Sequence, residues 1–273
     1  MNKPVFQKKI IGASSFASPL GQLRDEVDSI ELYVPKLGLY DGRRLIKERI
    51  NELCDIFSTG STLTTMHAPY YSDTPNYPGE LVVDTASMGK TQFKLMEECI
   101  YLAGQLECSV VVVHPGIITG EKEKCFGRMI GNLGRLARSA ENCGVTLGLE
   151  NKEGTNPLNL CCEPGEYMRA IEEVDSPNLA ATFDIGHANL TCGGDQLKLQ
   201  DFIKELDNVV HVHVHDNTGI ISEKYFGDLH GAPGEGCIDF SVLSELHCKG
   251  VYNLEVFSMD NVRKGKKMLE ELN

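Results

Sequence analysis

Histidines and carboxylates able to hold a cation recur in this chain at the ends of short apolar runs. His67 closes LTTMH, His114 follows VVVV, Glu150 closes TLGLE, Asp184 closes ATFD, and Glu255 stands in NLEVF. HVHVHD places His211, His213 and His215 at every second position before Asp216. DIGH adds His187 three residues after Asp184. GDLHGAPGEG adds Asp228 and His230 two residues apart, where alternate side chains of an extended loop can share one ion. One such histidine is more often structural than metal-binding. Six consecutive strand ends bearing such groups are different, because a cluster of unpaired carboxylates repels itself and is costly to desolvate. A bound cation removes that cost. Mixed imidazole and carboxylate ligands suit zinc, manganese or iron rather than calcium. The expected cofactor is a divalent metal ion (Zn, Mn or Co), one per chain, with ligands enough for up to three.

These residues must be positioned by the elements they terminate. Strand-sized runs fall at residues 9–14, 29–34, 63–67, 110–114, 146–150, 180–184, 209–215 and 253–257. Amphipathic stretches separate them, including RRLIKERINELCDIF, TQFKLMEECIYLAGQL, CFGRMIGNLGRLARSAENC, PGEYMRAIEEV, LQDFIKELD, DFSVLSELHCK and NVRKGKKMLEEL. In the second of these, Phe93, Met96, Ile100, Ala103 and Leu106 keep helical spacing. The first crossover, SPLGQLRDEV, offers two turns at best, and DFSVLSELHCK is expected to form a surface helix carrying His247. Nearly continuous apolar strands alternating with helices imply a parallel sheet covered by helices. Eight such units in this length fit a closed (β/α)₈ TIM barrel, α/β in class, with residues 1–273 as a single domain. In such barrels the strand termini converge at the C-terminal face, where active sites form. The seventh strand sharpens the picture. Its valines alternate with its histidines, so the valines face the helices and the histidines face inward, with His211 deepest as a core residue or a hydrogen-bonding support.

Bulk composition limits the partners. The formal charge of −13 argues against nucleic acid and anionic membrane as partners, although bound cations would cancel part of it. No G-x-G-x-x-G follows the first strand, which disfavours a dinucleotide. The amino-terminal MNKPVFQKKIIGASS is too briefly apolar for a signal segment or membrane span. The ten cysteines include no C-x-x-C pair, and the vicinal Cys161–Cys162 reads as incidental. Free thiols and a cytoplasmic location are expected, with a homo-oligomer compatible with the sequence.

The motifs HAP, HPG, LEN, DIGH, HVHVHDN, DLH…GEG and LEVF, in that order, resemble the xylose isomerase-like barrel superfamily over nearly the whole chain. That group includes sugar isomerases and epimerases as well as type IV apurinic endonucleases. The resemblance implies a shared metal centre at Glu150, Asp184, His213 and Glu255, with His213 selected because Asp216 completes a His-x-x-Asp motif. A trinuclear endonuclease centre would add His67, His114, His187, Asp228 and His230. The sixth-strand DIGH and the HVHVHDN strand resemble the isomerase branch, and ELYVPKLGLYDGRR after the second strand lacks the Asn-Gln-Arg signature of the endonucleases. The expected activity is thus a metal-dependent isomerase or epimerase of a small sugar or sugar phosphate, acting through an enediolate. Glu150 and Glu255 would be its acid and base, and His187, Lys152, His215 and Asp216 its substrate contacts. A zinc apurinic endonuclease, or a dehydratase or lyase of a hydroxy-carbonyl compound, is the alternative.

Overall fold

Apolar runs too short for helices become strands when β-branched side chains pack on both sides of a sheet. Val110–Val113 is the simplest instance, with all four residues buried. The computed structural model describes residues 9–41, 44–58, 60–70, 83–222 and 224–272. Arg43, taken into the first long helical stretch, and the first residues of the amino-terminal segment lie outside them.

The barrel strands are β1 (Ile10–Ser14), β2 (Ser29–Tyr33), β3 (Leu63–His67), β4 (Val110–Val113), β5 (Thr146–Glu150), β6 (Leu179–Asp184), β7 (Val209–Val214) and β8 (Cys248–Leu254). Each pairs in parallel with its chain neighbours, and β1 pairs with β8 to close the ring. The helices are α1 (Leu20–Glu26), α2 (Lys47–Ser58), α3 (Lys90–Gln105), α4 (Lys122–Cys143), α5 (Pro164–Val174), α6 (Ile185–Thr191), α7 (Gln196–Lys204) and α8 (Met259–Glu271). A two-residue ribbon, Tyr40–Asp41 against Arg44–Leu45, interrupts the second crossover. The fold is the expected eight-stranded barrel.

Helices stop where the sequence provides a stop. Gly144 ends α4 in the left-handed conformation at φ 70°, which a residue without a Cβ adopts freely. Asp184 ends β6 and caps α6, its Oδ1 accepting the His187 amide at 2.7 Å. That immediate strand-to-helix turn folds His187 back over the barrel mouth.

Two elements differ from the sequence reading. DFSVLSELHCK forms only a 3₁₀ turn, Phe240–Ser244, and His247 lies in exposed coil before β8. The β7–β8 crossover spends its length on a loop at the mouth and leaves no room for a longer helix. The last strand spans Cys248–Leu254 rather than 253–257. Its start is masked by Lys249 and Gly250, which look like a turn. Gly250 is needed because a Cβ there would meet the Val210 carbonyl oxygen on β7. Among the described residues, no helix is long and apolar enough to cross a membrane, and every cysteine is free.

Candidate metal centre

Register fixes the level at which the polar groups meet. Asp184 on β6 lies beside His213 on β7, which lies beside Asn253 on β8. Glu150 ends β5 beside Thr182. His114 and Glu255 follow β4 and β8 directly, and the Glu255 amide still bonds the Val214 carbonyl at 3.1 Å. The top of the barrel interior is therefore a polar layer, where barrels of this kind are filled chiefly by branched apolar side chains.

Glu150 is its hub. Its Oε2 lies 3.0 Å from His114 Nε2, 3.6 Å from His67 Nε2 and 3.6 Å from His213 Nδ1. Its Oε1 turns the other way, 3.0 Å from His187 Nδ1 and 3.9 Å from Lys152 Nζ. His213 Nδ1 also lies 3.6 Å from Asp184 Oδ2 and 3.2 Å from Glu255 Oε2. Asp228 Oδ2 is 3.2 Å from His187 Nε2 and 3.1 Å from His230 Nε2. Every residue expected to hold an ion reaches this cluster. Four ligand groups within it each share a residue with the next: His67, His114 and Glu150; Glu150, Asp184 and His213; Asp184, His187 and His215; and His215, Asp228 and His230.

The donor set fits a divalent cation. His213 Nδ1, Glu150 Oε2, His215 Nδ1 and Asp228 Oδ1 are buried and make no hydrogen bond. Unsatisfied buried polar atoms are rare in folded proteins, and two of these, His213 Nδ1 and Glu150 Oε2, lie 3.6 Å apart where a ligand would satisfy both. His213 is the clearest case. Its Nε2–H donates to Glu31 Oε2 at 2.8 Å, and its Nδ1 faces three carboxylates. A carboxylate behind a histidine in this way is the usual support for a metal-binding imidazole.

Charge is matched to that arrangement. Burial would raise the Glu150 carboxyl, but His114, His187 and His213 hold it well below the usual carboxylate range. Asp184 is likewise held low against burial, by His187, His215 and His213. Asp228 is held low by His230 and His187. Burial pulls His114 down to about 3 despite Glu150. His230, with Asp228 and Glu255 beside it, overcomes burial and rises to about 10. Lys152 rises too, because Glu153, Glu150, Asp228 and Asp184 outweigh its burial. Carboxylates kept ionised are the state a cation requires.

Several participants are absent from the sequence reading. Glu31 is fully buried and accepts from His211 Nε2 at 2.9 Å, His213 Nε2 at 2.8 Å, Ser14 Oγ at 2.9 Å and Asn253 Nδ2 at 3.1 Å. The alternation of SIELY marks it, since Ser29, Glu31 and Tyr33 must share the face opposite Ile30 and Leu32. Asn151 donates Nδ2–H to the Asp184 carbonyl at 3.0 Å and accepts the Asp184 amide at 2.8 Å, which ties β5 to β6 at the mouth. From outside the barrel, the buried Tyr167 hydroxyl reaches the carbonyls of Leu149 and Thr182 at 2.7 and 2.8 Å, each close in sequence to a candidate ligand. His211 is the supporting histidine expected of it.

The expected substrate contacts divide. His187 and His215 face the cluster, with His215 Nε2 3.1 Å from Asp184 Oδ1 and its ring stacked 4.2 Å from His230. Gly186 permits this, because a Cβ there would collide with the His215 ring. Lys152 sits among carboxylates with only 15% of its side chain exposed. Asp216, expected beside the substrate, instead has both oxygens committed to backbone. Oδ2 accepts Gly234 and Gly236 amides at 2.8 and 2.9 Å, and Oδ1 accepts Asn217 and Ile238 amides. It organises the GEG loop. Aromatic walls flank the cluster, with Tyr70 4.1 Å from the His114 ring on one side and Phe257 5.3 Å from the His230 ring on the other. A cavity of about 360 Å³ at the opposite barrel end, lined by Lys9, Arg24 and Asp28 among others, contains none of these groups.

Known proteins share this architecture. A D-tagatose 3-epimerase-like protein of known crystal structure superposes with a TM-score of 0.78 at 27% identity, over 96% of each chain. The uncharacterized protein MJ1311 of Methanocaldococcus jannaschii is 33% identical over 222 residues, 76% of this chain and 68% of that one. The fructoselysine 3-epimerase of Shigella flexneri is 26% identical over 175 residues, 61% of this chain and 58% of that one. Residues 24–272 match the family described as xylose isomerase-like TIM barrel. The chain belongs to that family, among whose relatives found here are sugar 3-epimerases.

Proposed function

We propose that the chain is a divalent-metal-dependent epimerase or isomerase of a small ketose or related hydroxy-carbonyl compound. The observation that carries this reading is His213, whose buried and otherwise unbonded Nδ1 faces Glu150, Asp184 and Glu255. Its likeness to proteins named as 3-epimerases of tagatose and fructoselysine supports the substrate class.

When bound, a divalent cation supplies a Lewis acid that polarises the substrate carbonyl and offsets the negative charge of an enediolate. Glu150 and Glu255 stand near the same imidazole nitrogen, at 3.6 and 3.2 Å. One takes the proton from the carbon next to the carbonyl, and the C–H electron pair passes towards the carbonyl oxygen. The other returns a proton to the opposite face, which inverts the centre. Both carboxylates are largely buried, which keeps the transferred proton from bulk water. His187 and His215 are placed to orient substrate hydroxyls. Tyr33 and Tyr70, hydroxyls 3.2 Å apart, border the His67 side.

The test is to supply D-tagatose, D-psicose, D-fructose and L-ribulose with manganese, cobalt or zinc in deuterated water. Inversion at the carbon beside the carbonyl, with one deuterium incorporated there, is the expected result. No exchange and no product with any metal or sugar would refute the reading.

A specific observation favours a second reading. The full set His67, His114, Glu150, Asp184, His187, His213, Asp228, His230 and Glu255 converges, more than one ion needs. A three-zinc phosphodiesterase acting at abasic sites in DNA would use all of it. Three tightly held zincs per chain together with cleavage of an abasic duplex would establish that activity.

A further inference from the structure

The two oxygens of Glu150 divide the cluster into unlike halves. Oε2 looks towards His67, His114 and His213, where no lysine approaches within ion-pair distance among the described residues. Oε1 looks towards His187 and Lys152. In the second half His187 Nδ1 lies 2.9 Å from the Asn151 carbonyl and 3.0 Å from Glu150 Oε1, both acceptors, so Nδ1 carries a hydrogen. Nε2 faces Asp228 Oδ2 at 3.2 Å and the Lys152 ammonium at 3.3 Å. The same ammonium is 3.3 Å from Glu153 Oε2.

An ion held by His187, Asp228 and His230 would have to sit at the His187 Nε2 nitrogen. Zinc binds imidazole nitrogen at about 2.0–2.1 Å, so an ion there would sit between His187 and its neighbours, close against the ammonium. The ammonium repels a second cation placed at that nitrogen, and the carboxylates that would attract the ion already surround the lysine. We propose that Lys152 is a built-in cation that occupies the position a third divalent ion would need. The centre then takes up ions around Glu150 Oε2, Asp184, His213 and Glu255, and leaves His187, Asp228 and His230 as a hydrogen-bonding face for substrate. This inference rests on the metal-dependent reading and adds a limit on stoichiometry to it.

The test counts metal. Wild type, Lys152→Met and Lys152→Arg are equilibrated with excess zinc, desalted, and assayed for zinc per chain by plasma mass spectrometry, with folding checked by circular dichroism. Wild type and Lys152→Arg should retain fewer than three zincs, and Lys152→Met one more than wild type. Asp228→Asn in the wild-type background covers the case in which Lys152→Met does not fold. It should leave the zinc content unchanged, because the group it disrupts holds no ion. Three zincs in wild type, no gain in folded Lys152→Met, or loss of one zinc in Asp228→Asn would each overturn the proposal while leaving metal dependence intact. Absence of any retained zinc, manganese or cobalt in every protein would overturn both.

Discussion

Replacing Glu31 by glutamine tests whether the buried carboxylate sets the chemistry of His213 from behind. The substitution keeps size and shape but replaces one acceptor oxygen with an NH₂ donor. In the wild type Oε2 accepts from His211 and His213, and Oε1 accepts from Ser14 and Asn253. An NH₂ turned towards the histidines needs a lone pair on Nε2, which drives the His213 hydrogen to Nδ1, the nitrogen that must bind the ion. An NH₂ turned the other way meets the Asn253 Nδ2 donor, where a hydrogen bond is replaced by a donor–donor contact costing about 1–3 kcal/mol. Either orientation weakens the centre. Loss of such a supporting group lowers metal affinity by about 10–100-fold, equivalent to roughly 1.4–2.8 kcal/mol. Competition with a chromophoric chelator measures the affinity, and ¹⁵N chemical shifts of the imidazoles report the tautomer of His213. Wild-type affinity with His213 still protonated on Nε2 would refute the reasoning, because Glu31 would then be an interchangeable buried acceptor.

Glu150→Gln and Glu255→Gln should each lower turnover by about 10²–10⁴-fold, the usual range for a positioned acid or base, with the circular dichroism spectrum retained. Near-wild-type turnover in either would remove that residue from proton transfer. Chelation should abolish activity and lower the melting temperature. An ion present at 100 times its dissociation constant adds about 2.7 kcal/mol, or roughly 5–10 °C for a chain of this size, so an unchanged melting curve with chelator would count against a resident ion. Tyr167→Phe should cost about 1–2 kcal/mol, because its hydroxyl ties the Leu149 and Thr182 carbonyls together from outside the barrel. Calorimetric unfolding would show it, and no loss would make that contact incidental.

The barrel and its mouth were legible in the sequence for one reason. Period-2 patterning says which side chains of a strand face inward, and the motifs say where the strand ends. HVHVHD yielded its inward histidines this way, and His211 was separable from His213 because depth in a barrel follows position along the strand. The last strand was harder, since Gly250 is there for the close approach of the Val210 carbonyl, a tertiary requirement that looks locally like a turn. Asp216 was misplaced for a similar reason. It closes the His-x-x-Asp motif, but the four amides that claim its carboxylate come from its own neighbour and from the GEG loop. No local spacing reveals them.

Glu31 marks the deeper limit. The alternation of SIELY puts Glu31 on one face with Ser29 and Tyr33, but only closure of the barrel brings β2 across from β7, 180 residues later. Once that contact exists, the burial has a physical cause. Burial alone would raise the Glu31 carboxyl, yet His213 and His211 hold it well below its usual range. An ionised carboxylate so deep is tolerated because four donors satisfy it. Those donors include the histidine that presents its other nitrogen to Glu150, Asp184 and Glu255. The ligand face of His213 and the buried charge behind it are two ends of one hydrogen-bonded chain. An inward histidine ligand on one barrel strand therefore calls for an acceptor at an inward position of a strand across the barrel.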